Sequence, residues 1–126
     1  MSTTSVVSTP KAPAAIGPYS QGIVAGALVF TSGQLPMDPV SGAMPADPAA
    51  QARQCLENVK AVLEAGGSGL DRVAKVTVFL QDMAHFGAVN EVYASFFSGT
   101  FPARSCVQVA RLPKDALVEI EAVGLK

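Results

Sequence analysis

The stretch that most limits how this chain can fold is Arg72-Val73-Ala74-Lys75-Val76-Thr77-Val78-Phe79-Leu80. It reads as a strand that is apolar on both faces apart from Lys75 and Thr77. Such a strand has to be covered on both sides, because either face left in water would expose a row of branched side chains. The rest of the chain must therefore supply a sheet around it and cover for that sheet.

Two segments with apolar residues at 3–4 spacing provide cover. Asp47-Pro48 predicts a helix start, since the Asp carboxylate accepts from orphan backbone donors and Pro loses nothing at the first helical position. The stripe Ala52, Cys55, Leu56, Val59, Val62 and Leu63 follows, with Arg53, Glu57, Lys60 and Glu64 on the other side, and Gly66-Gly67 closes the helix. Cys55 in that stripe is a small core residue. Asp82 predicts the cap of a second helix whose buried stripe is Phe86, Val89, Val92, Tyr93, Phe96 and Phe97. Asn90 falls close to that stripe, and His85 is placed as an exposed or capping histidine.

The remaining segments read as strands and loops. Val6-Val7 predicts a short first strand within Ser2 to Pro10, and Ala12 to Ser20 is a loop punctuated by Pro and Gly. Gln21 to Ala25 and Ala27 to Thr31 flank Gly26 as a hairpin, and residues 35–47 form a surface loop rich in turn chemistry. Phe101 to Pro113 has prolines at both ends and period-2 alternation between them, which predicts a strand from about Arg104 to Ala110. Arg104, Cys106, Gln108 and Ala110 share one of its faces; Ser105, Val107, Val109 and Arg111 share the other. In the last strand, Leu117 to Val123, Glu119 and Glu121 fall on one face.

The predicted order is β-β-β-α-β-α-β-β in a single domain, residues 1–126. Two βαβ crossovers joined to hairpins imply an α+β fold, a mixed β-sheet with both helices packed on one face. Because consecutive strands usually pair, the last strand is expected beside the arginine strand, with Glu119 near Arg104 or Cys106. The other sheet face has no helix left to cover it. Charged residues are 15% of the chain where about 25% is usual, and 49% are apolar even without glycine. A chain with so little charge is expected to bury part of its surface in a homo-oligomer.

Charge also limits function. A net charge of −1, with nine dispersed basic residues, supplies no electrostatic footprint for nucleic acid. No apolar run approaches the roughly 20 residues that span a bilayer, and Met1 to Lys11 lacks a basic region followed by an apolar one, so a soluble cytoplasmic protein is expected. In that reducing compartment Cys55 and Cys106 are expected as free thiols, and with His85 the one histidine, no metal cluster is predicted.

Arg104 has the fixed fork of donors that suits a planar carboxylate. Glu119 can move a proton or steer a water, so the two form a minimal hydrolytic pair. The residues alone leave plainer readings open: Arg104 snorkelling to water, Glu119 and Glu121 on a solvated face, Cys106 as a small filler rather than a nucleophile, and Tyr19 as loop packing.

Ala14-Ala15-Ile16-Gly17-Pro18-Tyr19, Thr31-Ser32-Gly33-Gln34, Asn58-Val59-Lys60, Phe101-Pro102-Ala103-Arg104-Ser105-Cys106-Val107, Val109-Ala110-Arg111-Leu112-Pro113 and Val118-Glu119-Ile120-Glu121-Ala122 together resemble the Rid (YjgF) family, specifically its RidA branch. The likeness runs from about Ser5 to Val123. It implies a chorismate-mutase-like fold assembled as a homotrimer with sites between subunits. The implied activity is cofactor-independent hydrolysis of 2-imino acids or their enamine tautomers, such as 2-aminoacrylate, to 2-oxo acids and ammonia. It further implies that Arg104 grips the substrate carboxylate and Glu119 positions or activates water. Tyr19, Ser32, Gly33, Asn90 and the backbone at Cys106 would complete the site. Two rivals follow: a small-carboxylate-binding or chaperone-like trimer without turnover, and an endoribonuclease or translation inhibitor, against which the acidic balance and lack of a histidine pair weigh.

Overall fold

A computed structural model describes residues 4–126 of the chain. It contains one six-stranded sheet and two α-helices, in the order β1 (Thr4–Val7), β2 (Gly22–Ala25), β3 (Leu28–Thr31), α1 (Pro48–Ala65), β4 (Val73–Leu80), α2 (Phe86–Ser95), β5 (Ala103–Gln108) and β6 (Val118–Leu125). This is the expected α+β sequence of elements, and the first strand lies where Val6-Val7 predicts it; Ser2 and Thr3 of that expected segment lie outside the described residues.

Local chemistry accounts for the ends of the elements. The Asp47 carboxylate accepts from the Ala50 amide at 2.9 Å and Pro48 takes the first turn of α1, as their order predicts. Gly26, at φ +58°, turns the two-residue link between β2 and β3, a conformation glycine adopts without strain. The Asp82 carboxylate caps a single 3₁₀ turn, Met83–His85, rather than α2 itself; α2 begins at Phe86, and the half-buried His85 makes no capping side-chain bond. The arginine strand stops at Gln108, two residues short of the expected end. The Val109 amide still donates to Leu80 O, after which Arg111 turns out to pair with Asp115.

The strands lie in the order β1-β2-β3-β6-β4-β5, antiparallel throughout except for the parallel pair β4 and β5. The expected adjacency of the last strand to the arginine strand is therefore wrong. β6 fills the gap that the first crossover leaves between β3 and β4, and β5 is an edge strand. The side chains explain the exchange. β6 presents Val118, Ile120, Ala122 and Gly124 to the core, all buried, whereas the same face of β5 carries Arg104 and Gln108, which suit an edge that water can reach.

Both helices pack on one face of the sheet. Val29, Leu56, Val59, Val62, Leu63, Val76, Val78, Leu80, Val89 and Ile120 are among the residues of this core, and Cys55 is fully buried within it. Among the described residues, no helix covers the other face. Val6, Phe30, Val107 and Leu125 are exposed on it by 68%, 40%, 45% and 47%. β4 is therefore buried on one face only, with Lys75 exposed and Thr77 and Phe79 half-buried on the other. Among the described residues, no helix is long and apolar enough to cross a membrane.

A buried polar side chain holds the long 35–47 loop to α1. Asn58 donates from Nδ2 to Leu35 O at 3.0 Å and Met37 O at 2.9 Å while its Oδ1 accepts from Gln54. Two buried hydrogen bonds with no replacement make Asn58→Ala destabilising by about 2 kcal/mol, measurable as a lower urea midpoint at unchanged slope.

Candidate functional site

The residues singled out in the sequence collect around two separate concavities. The first, of 540 Å³, is walled by Tyr19, Ser32, Gly33, Gln34, Lys114 and Glu119, with apolar side chains such as Ile16, Leu35 and Met37 around them. The second, of 480 Å³, is formed by Asn90, Tyr93, Ala94, Phe101, Pro102 and Arg104. They share no residue. Arg104 and Glu119 also lie on opposite faces of the sheet: Arg104 is paired with Val76, which faces the core, and Glu119 with Phe79, which faces outward.

The first concavity depends on a loop held at its base. Gln21 is buried beneath the Ala12 to Ser20 loop; its amide donates to Thr9 O, Ala12 O and Pro13 O, and its Oε1 accepts from the Thr9 amide. Ser32 Oγ donates to Ser20 O at 2.6 Å, so the hydroxyl fixes the far end of the loop. Tyr19 stands between these anchors, 52% exposed, at the open side of the cavity.

A β-bulge places the acid. Between the Phe30–Val123 pair and the Gln34–Ile120 bridge, three residues of the β3 side oppose two of β6, so the chain bends at Ser32-Gly33. Glu119 packs directly against Gly33, where any Cβ would collide with its Oε2. Partial burial, followed by the charge of neighbouring Glu121, raises the Glu119 pKa above the ordinary carboxylate value. Lys114 on the same wall sits at φ +57° and Asp115 after it at φ +56°, the only two non-glycine residues with positive φ among those described.

The second concavity is organised by α2. Phe86, Asn90 and Tyr93 are spaced i, i+4, i+7, which aligns them along the side of the helix that meets β5. Asn90 Oδ1 accepts from Arg104 Nη1 at 2.8 Å, and the guanidinium lies 4.7 Å from the Tyr93 ring centroid and 5.5 Å from that of Phe86. Among the described residues the one salt bridge is Arg111–Asp115, so none of them gives Arg104 a carboxylate partner. Cys106, next on the same strand face, is a half-buried free thiol; burial raises its pKa and the Arg104 charge opposes the rise. Among the described residues, no group of three or more His, Cys, Asp and Glu is placed to hold a metal ion.

Tyr19, Ser32, Gly33 and Glu119 are thus brought together, as are Asn90 and Arg104, while the two groups stay apart within one chain. Phe86 and Tyr93 read in the sequence as core stripe; their spacing showed that they share a helix side with Asn90, and nothing in it showed that this side meets Arg104.

The class so defined is an α+β chain of one mixed sheet under two helices, with an arginine that has no salt bridge among the described residues and a half-buried carboxylate in separate concavities. A family model described as Endoribonuclease L-PSP matches residues 9–125, and the chain belongs to that family, the Rid (YjgF) family. It is 54% identical over 123 residues to the 2-iminobutanoate/2-iminopropanoate deaminases of Escherichia coli (strain K12) and Salmonella typhimurium, covering 95% of this chain and 96% of each relative. Among solved structures, the Escherichia coli YjgF gene product superposes with a TM-score of 0.94 at 52% identity, covering 97% of this chain and 98% of that one. Escherichia coli TdcF with bound serine does so with a TM-score of 0.94 at 51% identity and the same coverage.

The raised Glu119 pKa has a signed consequence. The folded state holds the proton more tightly than the unfolded state, so stability declines as pH rises from the ordinary value of 4.5 through the raised one. Glu119→Gln escapes that decline: its melting temperature relative to wild type should increase between pH 4 and pH 8, and a gap constant with pH would contradict the assignment.

Proposed function

We propose that the protein is a deaminase that hydrolyses 2-imino acids and their enamine tautomers, among them 2-aminoacrylate, 2-iminopropanoate and 2-iminobutanoate, to 2-oxo acids and ammonia. The observation that carries this reading is the free guanidinium of Arg104. It is seated in a cavity, fixed on one side by Asn90, and without a carboxylate partner among the described residues, so its remaining donors are available to a small acid. Relatives named for this reaction at 54% identity support it, as does a relative crystallised with serine, a small carboxylate.

In the proposed mechanism Arg104 grips the carboxylate of the substrate and so fixes the neighbouring C=N carbon, which is already electrophilic. Glu119 orients a water and takes a proton from it as the oxygen attacks that carbon. Glu119 returns that proton to the nitrogen, the carbinolamine hydroxyl proton follows it as the C–N bond breaks, and ammonia leaves the 2-oxo acid behind. The water supplies the oxygen, and no electrons are transferred. A carboxylate with a raised pKa suits this exchange, because it accepts and returns a proton closer to neutrality. Tyr19, Ser32 and Gly33 shape the Glu119 side; Asn90 and the backbone at Cys106 complete the Arg104 side. No cofactor takes part.

Because the two half-sites lie apart in one chain, the reading requires a second copy. We place the Arg104 cavity of one protomer against the Glu119 cavity of the next, around a homotrimer whose subunits meet through the open sheet face. Exposed Phe30, Val107 and Leu125 on that face, and the chain's low charge, support the assembly. The chaperone-like or pure-binding alternative has no use for a desolvated acid near its ligand. The ribonuclease alternative lacks a histidine in either cavity.

Two measurements test the proposal. Arg104→Ala and Arg104→Lys should each lower kcat/KM for 2-iminopropanoate generated in place by about 100-fold or more, since about 3 kcal/mol of paired charge-assisted bonding is lost. A wild-type rate in Arg104→Ala rejects the site. Co-expressing Arg104→Ala with Glu119→Gln tests the shared site: random mixing rebuilds about a quarter of the sites from two inactive variants. Continued inactivity of the mixed assembly would place both groups of each site within one chain.

A further inference from the structure

We infer that Tyr93 is a positioning residue of the carboxylate site: its ring face is the platform that holds the Arg104 guanidinium in the orientation needed to receive a small acid. The inference rests on the carboxylate grip proposed above and extends it to a residue that acts through the guanidinium.

A long arginine side chain on an edge strand has many rotamers, and a carboxylate neighbour is the common means of fixing one. Here such a neighbour would occupy the donors a ligand needs. The chain instead uses the two directions a ligand does not require. Asn90 Oδ1 accepts one N–H from Nη1 at 2.8 Å, and the guanidinium carbon lies over the Tyr93 ring, 4.7 Å from its centroid. The ring holds the cation without a carboxylate acceptor, Asn90 is the one hydrogen-bond acceptor of the Arg104 side chain among the described residues, and the attraction between a cation and an aromatic quadrupole strengthens where water is excluded. Tyr93 is only 4% exposed, so the platform is itself rigid: it is packed in the core and tilted against Phe97 at a centroid distance of 4.8 Å. Phe86, at 5.5 Å from the guanidinium, is the more distant second ring.

The hydroxyl of Tyr93 separates this role from ordinary hydrogen bonding. It is buried with no hydrogen-bond partner among the described residues, so within the chain the residue's contribution is its ring. The nearby guanidinium works against the rise in phenol pKa that burial causes, consistent with the short distance between the two groups. The spacing of Phe86, Asn90 and Tyr93 along α2 delivers all three contacts from one rigid element.

The test is a binding measurement on the assembled protein, independent of turnover: calorimetric affinity for 2-oxobutanoate, a small 2-oxo acid, with melting temperatures recorded alongside. Tyr93→Leu should weaken binding about tenfold and raise KM for 2-iminobutanoate with kcat changed less than threefold, as expected when a ground-state grip is loosened. Tyr93→Phe keeps the ring and should retain at least half the affinity and melt no lower than wild type. Phe97→Leu, which removes an aromatic from the same cluster without uncovering Arg104, should lower the melting temperature and leave the affinity within twofold. Three outcomes overturn the inference: unchanged affinity in Tyr93→Leu, equal losses in Tyr93→Leu and Tyr93→Phe, or an equal loss in Phe97→Leu. Unchanged affinity in Arg104→Ala would overturn the carboxylate grip and the platform with it. Loss in Arg104→Ala alone would leave the grip standing and remove Tyr93 from it.

Discussion

Hydrogen bonding of β6 along both of its edges, to β3 on one side and β4 on the other, is the constraint from which the rest of the architecture follows. A strand in that slot cannot choose its register freely, because a one-residue slip would turn Val118, Ile120 and Ala122 into water and bring Glu119 and Glu121 into the core. With the register locked, Glu119 must stand on the outer face, opposite the helices. β5 is displaced to the edge, where its inner face meets α2. The separation of Arg104 from Glu119 is thus a result of sheet order, and it is what makes a shared site the natural reading of this fold.

The two concavities are stabilised by different physics. Around Glu119 the backbone does most of the positioning. A bulge at Ser32-Gly33 brings a glycine against the carboxylate, and buried amides such as Gln21 and Asn58 fasten the flanking loops through their carbonyls. Loops carry unpaired backbone groups, and buried side-chain donors answer that need with direction as well as energy. Around Arg104 the positioning comes from side chains on a helix, with one amide oxygen and two ring faces and no opposing charge. A fixed carboxylate there would hold the guanidinium equally well and leave it nothing to bind.

Each concavity also leaves something uncompensated among the described residues. Glu119 is a half-buried carboxylate with a raised pKa, Arg104 lacks a counter-ion among the described residues, and Lys114 and Asp115 keep left-handed backbone at the edge of the Glu119 cavity. Local costs of this kind persist where the surrounding structure enforces them, and they cluster at working sites. Here they coincide with the open sheet face and with the two concavities, whereas the region between sheet and helices is densely apolar.

Much of this was legible in the order of residues. Helix limits followed from Asp47-Pro48 and Gly66-Gly67, the hairpin from Gly26, and the eight elements from their periodicities, because these signals act between residues close in sequence. The low charge pointed to an uncovered face, and Arg104 and Glu119 stood out by chemistry alone. Which strands became neighbours was decided only in three dimensions. Adjacency in sequence favoured pairing β6 with β5, but the burial of a fully apolar β6 face and the hydrogen bonding of both its edges outweighed that preference. The same competition turned Tyr93 from a stripe residue into the seat of a guanidinium, since a helical repeat specifies which residues share a face but not what that face will meet.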